Sequence, residues 1–213
     1  MSNFKTLADA IGKGDVKMAL AETQQALDAG TSAQEILDKG LIHTMNGVGD
    51  RFSKGLIFVP QMLRSAKTMQ ECTQLLKPFF LEGDVVSKGK VLMGTVKGDL
   101  HDIGKNLVSM MLEGAGFTIV DLGVDVPPEH FVEKTKEVQP DILGMSALLS
   151  TTMPAMADTI EALQKARIRK KVKVIIGGAP VTDKYAQKIG ADSYASDAGS
   201  AVIKAKELLG IGQ

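Results

Sequence analysis

Hydrophobic positions in the first third of the chain recur at helical spacing, and nothing there alternates as a strand would. Leu7, Ala10 and Ile11 predict a short first helix that stops at Gly12-Lys13-Gly14. Asp15 is placed to cap a second helix, which carries Val16, Ala19, Leu20, Thr23, Ala26 and Leu27 to Gly30. Ser32-x-x-Glu35 has capping-box spacing and opens a third helix through Ile36, Leu37, Leu41 and Met45. Gly47, Gly49 and Gly55 are then expected to loosen the chain. Pro60 suits the first turn of a fourth helix, whose Leu63, Ala66, Met69, Gln70, Thr73 and Leu76 run on to Pro78. Four helices with short connections predict an antiparallel bundle over residues 1–82, which by itself fits a dimerisation or docking module equally well.

From Lys90 the period changes. Short apolar runs at 91–96, 118–122, 142–145 and 172–176, with a weaker one at 193–195, read as strands. Helical segments at 104–115, 128–138, 153–167, 181–189 and 199–209 fill the gaps. This alternation predicts a parallel sheet with helices on both faces, a Rossmann-like or flavodoxin-like five-stranded domain over 90–213. The polar, glycine-bearing stretch 83–89 reads as the linker between the two. The expected fold class is therefore α plus α/β, a helical bundle followed by a Rossmann-like domain.

The chemistry concentrates after the first strand, in Gly98-Asp99-Leu100-His101-Asp102-Ile103-Gly104. A turn at the carboxyl end of a strand is where open α/β sheets bind ligands. The following helix is expected to turn Ile103, Leu107, Met110, Met111 and Gly114 inward. A neutral imidazole is a common metal ligand, and the ring nitrogen off the metal usually donates to a carboxylate or carbonyl. Asp99, two residues before His101, is close enough to be that carboxylate. Ser146-Ala147-Leu148-Leu149-Ser150-Thr151-Thr152 follows the third strand and Gly177-Gly178 the fourth. The hydroxyls of Ser146, Ser150 and Thr152 suit a phosphate, a base, the Asp99–His101 pair or a helix cap before Pro154. The glycines suit a tight turn or a close approach of backbone to ligand. Ser196-Asp197 follows the last strand and also has the composition of a cap.

Composition narrows the classes. With 25 Lys plus Arg against 25 Asp plus Glu, no charge excess calls for nucleic acid or a membrane surface. No apolar run has transmembrane length and no leader opens the chain, so a cytoplasmic protein with no membrane partner is expected. The single cysteine, Cys72, excludes an intramolecular disulfide and any Cys-x-x-Cys site, and its helical position suits a buried, inert thiol. His43 and His130 have no partners at metal spacing.

Asp-x-His-x-x-Gly at 99–104, Ser-x-Leu at 146–148 and Gly-Gly at 177–178, in this order, resemble the signature of cobalamin-binding domains. The chain is similar over nearly its whole length to the corrinoid proteins of bacterial and archaeal methyltransferase systems, and to the cobalamin module of methionine synthase. The resemblance implies cobalamin bound base-off with His101 as the cobalt ligand, and Asp99, Asp102, Ile103, Gly104, Leu148, Gly177 and Gly178 against the cofactor. It places Ser146 and Ser150 at the nucleotide tail, and Thr152 where the family has a serine bonded to the carboxylate. Ser196 and Asp197 align near the lower face. Gly49-x-x-Phe52-x-x-Gly55-x-x-Phe58-x-Pro60 resembles the entry to the last helix of the family's cap, which would set Phe58 and Met62 at the upper face of the ring.

The implied function is a methyl carrier cycling between Co(I) and methyl-Co(III), with no catalytic side chain of its own. Its implied partners are a substrate-specific methyltransferase, a second methyltransferase serving a thiol or pterin, and a corrinoid reductive activase. A cobalamin-dependent sensor is the main alternative, although no DNA-binding segment is present and the tryptophan count is zero. A mutase small subunit would match only 90–213, and a nucleotide- or flavin-binding module would want a Gly-x-Gly-x-x-Gly that the first strand lacks.

Overall fold

The computed structural model describes residues 4–79 and 87–211. The chain falls into two compact units that meet in sequence at Ser87–Lys88. Most of the predicted linker, residues 83–86, lies outside the described residues.

In the first unit, helices α1 (Lys5–Lys13), α2 (Val16–Asp28) and α5 (Val59–Leu76) each pack against the other two. Leu7, Ile11, Ala19, Met62 and Cys72 are buried among them. Asp15 caps α2 by accepting the Met18 N–H at 3.0 Å. Burial pushes the Cys72 thiol up from its ordinary pKa, which keeps it protonated and unreactive.

From Ala33 to Ser53 the chain is helical without a break: α3 (Ala33–Glu35), a π-helical stretch (Ile36–Ile42) and α4 (His43–Ser53). Buried Ile36 and Leu41, and buried Leu37 and Ile42, stand five apart. The i→i+5 bonding of a π-helix stacks such pairs on one face, whereas 3.6-residue turns would spread them. The capping box is only half made. Ser32 accepts the Glu35 N–H at 3.2 Å, but the Glu35 carboxylate reaches forward to Lys39 at 2.9 Å. Gly47 and Gly49 do not loosen the chain as expected, since α4 runs through both and the left-handed turn comes only at Gly55. Val48 and Gly49 are buried, so packing outweighs the propensity cost of about 1 kcal/mol per helical glycine.

The second unit contains β1 (Lys90–Thr95), α6 (Ile103–Gly114), β2 (Thr118–Asp121), α7 (Pro128–Val138), β3 (Ile142–Ser146), α8 (Pro154–Lys165), β4 (Lys173–Gly177), α9 (Asp183–Ile189), β5 (Ser193–Ala195) and α10 (Ala198–Leu208). All strand pairs are parallel, in the order β2-β1-β3-β4-β5. Leu92, Leu143, Val174 and Ile176 are fully buried, with Phe131 and Ile160 packed in the same cluster. Burial on both faces is why these strands read as unbroken apolar runs. The order reverses between β1 and β3, which opens the crevice that such sheets use for ligands. Register completes the arrangement: Thr95 pairs with Ser146, Ser146 with Gly177, and Gly177 with Ala195. The motif segments therefore end on one row across the carboxyl edge.

Candidate functional site

Three loops converge on Asp99, which has no exposed surface. Its Oδ1 accepts the backbone N–H of His101 at 3.0 Å and faces the His101 Nδ1 at 2.8 Å. Its Oδ2 accepts the Leu148 N–H at 2.7 Å, the Leu149 N–H at 3.3 Å and the Thr152 hydroxyl at 2.7 Å. Burial alone would raise the pKa of this carboxyl. The Thr152 hydroxyl, the His101 and Leu148 backbone amides and the His101 ring outweigh it, and hold the group well below the usual carboxylate range. An ionised, acceptor-only carboxylate requires Nδ1 to be the donor, which leaves the lone pair of a neutral ring on Nε2. The His101 side chain is 52% exposed, so that lone pair is accessible.

The backbone of the same loop is braced from below. Thr95 Oγ1 lies 3.0 Å from the His101 carbonyl and 2.9 Å from Ser146 Oγ. Ser146 is thus tied to β1 through its hydroxyl, while Ser150 is exposed. No side chain caps α8, so Thr152 is a partner of Asp99 and not a cap.

Helix α6 buries Met111 and Gly114 as expected but departs from the expected register in its first turns. Ile103 is 79% exposed and Leu107 only half-buried, whereas Lys105, Ser109 and Leu112 turn inward. The buried ammonium of Lys105 is matched by Asp121 Oδ2 at 2.5 Å and Asn106 Oδ1 at 2.7 Å, and Asn106 Nδ2 donates to Asp102 Oδ2 at 3.0 Å. A paired cation can be buried where an unpaired one cannot, and the exchange leaves an isoleucine facing out beside His101. Leu100, Ile103, Val124, Leu148 and Leu149, from the three loops that meet at Asp99, are all exposed. Exposed apolar side chains on the loops around a half-exposed imidazole suit a ligand with an extensive apolar surface.

The glycines divide into two kinds. A Cβ on Gly104 would meet nothing within 4 Å, so no packing within the chain calls for glycine there and the space in front of it is open. Gly178, at φ 133°, is different: a Cβ would lie 1.9 Å from the Ala147 carbonyl oxygen. The β3 and β4 loops thus pack backbone to backbone at Gly178, which by itself calls for glycine there. Gly177 is similar, with the Ala195 carbonyl at 3.0 Å from its Cβ position.

Asp197 caps α10, its Oδ1 accepting the Ser200 N–H at 2.8 Å, and Ser196 Oγ donates to Asp197 Oδ2 at 2.9 Å. In the helical unit Phe58 is exposed at the start of α5 and Met62 is fully buried, so of that pair Phe58 alone offers surface. His43 is exposed, and His130 Nδ1 lies 3.3 Å from Glu133. Among the described residues no three His, Cys, Asp or Glu side chains are grouped so as to hold a metal ion. Sequence reasoning missed Lys105 and Asp125; the αL-tolerant Asp in Gly123-Val124-Asp125 was the available signal for the second.

A five-stranded doubly wound domain with an imidazole–carboxylate loop at its switch point, preceded by a helical unit, is the arrangement of a B12-binding protein. Residues 4–77 and 89–203 both match models described as the B12 binding domain. The chain is 51% identical over 176 residues to dimethylamine corrinoid protein 1 of Methanosarcina acetivorans, covering 82% of this chain and 83% of that one. It is 47% identical over 207 residues to the dimethylamine corrinoid protein of Methanosarcina barkeri, 97% of each. A cobalamin-binding protein from Desulfitobacterium hafniense superimposes with TM-score 0.82 at 34% identity, over 98% of this chain and 99% of that one. The methanol:cobalamin methyltransferase complex of Methanosarcina barkeri gives 0.87 at 29%, over 99% and 80%. The chain belongs to the cobalamin-binding corrinoid proteins, the family of the methylamine corrinoid proteins of Methanosarcina. Its cofactor is cobalamin. No helix among the described residues is long and apolar enough to cross a membrane.

Proposed function

We propose that this protein carries methyl groups for a methylamine-class methyltransferase, with His101 Nε2 as the axial ligand of a cobalamin whose own base is displaced. One observation carries the reading: a buried Asp99 holds the His101 Nδ1 at 2.8 Å, while the His101 side chain remains 52% exposed with Nε2 outside the hydrogen bonds that hold the loop. The names of its relatives, several of them dimethylamine corrinoid proteins, support the donor class.

Cobalamin, when bound, would supply the methyl-transfer chemistry between an amine donor and a thiol or pterin acceptor, and His101 with Asp99 would hold its cobalt. This chain's residues do the rest. Asp99 fixes the His101 tautomer, and Thr152, Leu148 and Leu149 fix Asp99 in turn. Leu100, Ile103 and Leu148 present apolar surface to the ring, and Gly104 leaves room for it. Ser146, Ser150, Gly177, Ser196 and Asp197 lie at the ends of β3, β4 and β5, where the nucleotide tail would enter. In the helical unit Phe58, exposed at the start of α5, is the residue that would meet the cofactor, Met62 lying buried behind the helix surface.

The partners are a substrate-specific methyltransferase, an acceptor methyltransferase and a reductive activase. The crystallised methanol:cobalamin methyltransferase complex, a structural neighbour, supports the first of these. The test is to reconstitute the protein with cobalamin, reduce it, and add dimethylamine with a dimethylamine methyltransferase. Amine-dependent appearance of the methylated-corrinoid spectrum is expected. No methylation with mono-, di- or trimethylamine and their methyltransferases contradicts the reading.

A further inference from the structure

Asp125 follows β2, near the end of β1 but outside every motif discussed so far. It is non-glycine yet sits at φ 54°, in the left-handed region. That conformation is strained for a residue with a Cβ and is best tolerated by Asn and Asp. The residue is exposed, so the strain does not serve the core.

What surrounds it explains the strain. The segment after β2 continues alongside the end of β1: Thr95 N–H donates to the Gly123 carbonyl at 2.9 Å, Val126 N–H to the Thr95 carbonyl at 3.0 Å, and Val96 bridges Val126 in parallel. At Asp125 this edge crosses to the His101 loop with both its groups. Its Oδ1 accepts the Gly98 N–H at 2.7 Å, and its own N–H donates to the Asp99 carbonyl at 3.0 Å. The Asp99 carboxylate meanwhile is held from the opposite side, by the Leu148 and Leu149 amides and the Thr152 hydroxyl of the β3–α8 loop.

The loop is therefore gripped from both sides. A carboxylate held on one side only could turn with its backbone and carry the imidazole with it. Held on both, the Asp99 backbone and side chain are fixed together, and so is the direction of His101 Nε2. We infer that Asp125 is a positioning residue for cobalt ligation, acting through the Gly98–Asp99 backbone on His101. The inference rests on the reading of His101 as the axial ligand.

Asp125→Asn keeps both the acceptor oxygen and the tolerance for positive φ. Asp125→Gly relieves the strain but removes the acceptor, and Asp125→Ala removes the acceptor and keeps the strain. Each is made in the full-length chain and loaded with methylcobalamin. Three quantities are read: thermal midpoint of the apoprotein, cobalamin affinity, and the fraction of histidine-ligated cobalt in the visible spectrum. The Asn variant is expected to match wild type. The Gly variant, which gives up the strain together with the acceptor, is expected to fold yet lose about tenfold or more in affinity, the lower bound for one charge-assisted hydrogen bond, with part of its spectrum shifted away from histidine ligation. If the Ala variant does not fold, the Asn–Gly pair decides. A Gly variant with wild-type affinity and spectrum makes Asp125 an ordinary turn residue and overturns the inference alone. Wild-type protein without a histidine-ligated spectrum overturns this inference and the His101 assignment together.

Discussion

Thr152→Val replaces a hydroxyl by a methyl and leaves the side-chain volume nearly unchanged, so its effect on the apoprotein measures one hydrogen bond to a buried charge. Thr152 is buried, and its Oγ1 lies 2.7 Å from Asp99 Oδ2 and 2.9 Å from the Leu149 carbonyl. A hydrogen bond to a charged group contributes about 1.5–3 kcal/mol, and the Leu148 and Leu149 amides still reach the same oxygen, so the expected loss is about 1.5–2 kcal/mol. With an m value of about 2 kcal/mol per molar urea, the midpoint falls by about 1 M. The assay is simple because the chain has two tyrosines and no tryptophan, and both tyrosines lie in the α/β unit. Tyr185 donates its hydroxyl to the Met153 carbonyl at 2.8 Å, one residue from the substitution, so tyrosine fluorescence reports the unit concerned. Thr152→Ser keeps the hydroxyl and is expected to lose about 1 kcal/mol, the worth of a buried methyl group.

The pH dependence adds a sign. The Asp99 carboxyl is held below its ordinary value, so its stabilisation is full above about pH 4 and is lost as the pH falls through the lowered folded-state value. Removing the Thr152 donor raises the folded-state value, so the variant should begin to unfold at a higher pH than wild type. A midpoint within about 0.5 kcal/mol of wild type at pH 7, with the same acid transition, would refute the reasoning.

The two kinds of glycine predict opposite results. Gly178→Ala drives a Cβ into the Ala147 carbonyl and should destabilise the apoprotein by about 3 kcal/mol or more, measured by urea unfolding without cofactor. Gly104→Ala should leave the apoprotein as stable or up to about 1 kcal/mol more so, yet weaken cobalamin binding in a titration, because its methyl enters open space in the helix's first turn. For the buried pair, Asp121→Ala should cost more than Lys105→Met. The first leaves a buried ammonium with the neutral Asn106 oxygen but without its counter-charge, at about 3 kcal/mol, while the second leaves a carboxylate that is 41% exposed and still hydrated, at about 1 kcal/mol. Equal losses in thermal or urea unfolding would contradict that ordering.

The alternation of apolar runs and helical segments made the α/β half legible before any coordinates, because parallel strands buried on both faces leave an unbroken signal. Local caps at Asp15 and Ser32 were legible for the same reason, their partners lying three residues away. The turning of α6 was not. Apolar periodicity pointed Ile103 inward and gave no hint that Lys105 would be buried, because its partner Asp121 is sixteen residues on, at the end of another strand. Gly47 and Gly49 misled likewise, since a propensity of about 1 kcal/mol is outweighed by burial that only tertiary packing reveals. At the site, His101 and Asp99 stand close enough in sequence to be paired on paper, while Asp125 reaches Gly98 from 27 residues away.

The visible spectrum of purified protein loaded with methylcobalamin, set beside that of His101→Ala, tests the central claim most directly. The account predicts a stoichiometric, six-coordinate corrinoid in wild type, and in the variant either loss of the cofactor or conversion to the base-off form. A wild-type protein that takes up no corrinoid, or one spectrum shared by both proteins, would contradict His101 as the ligand.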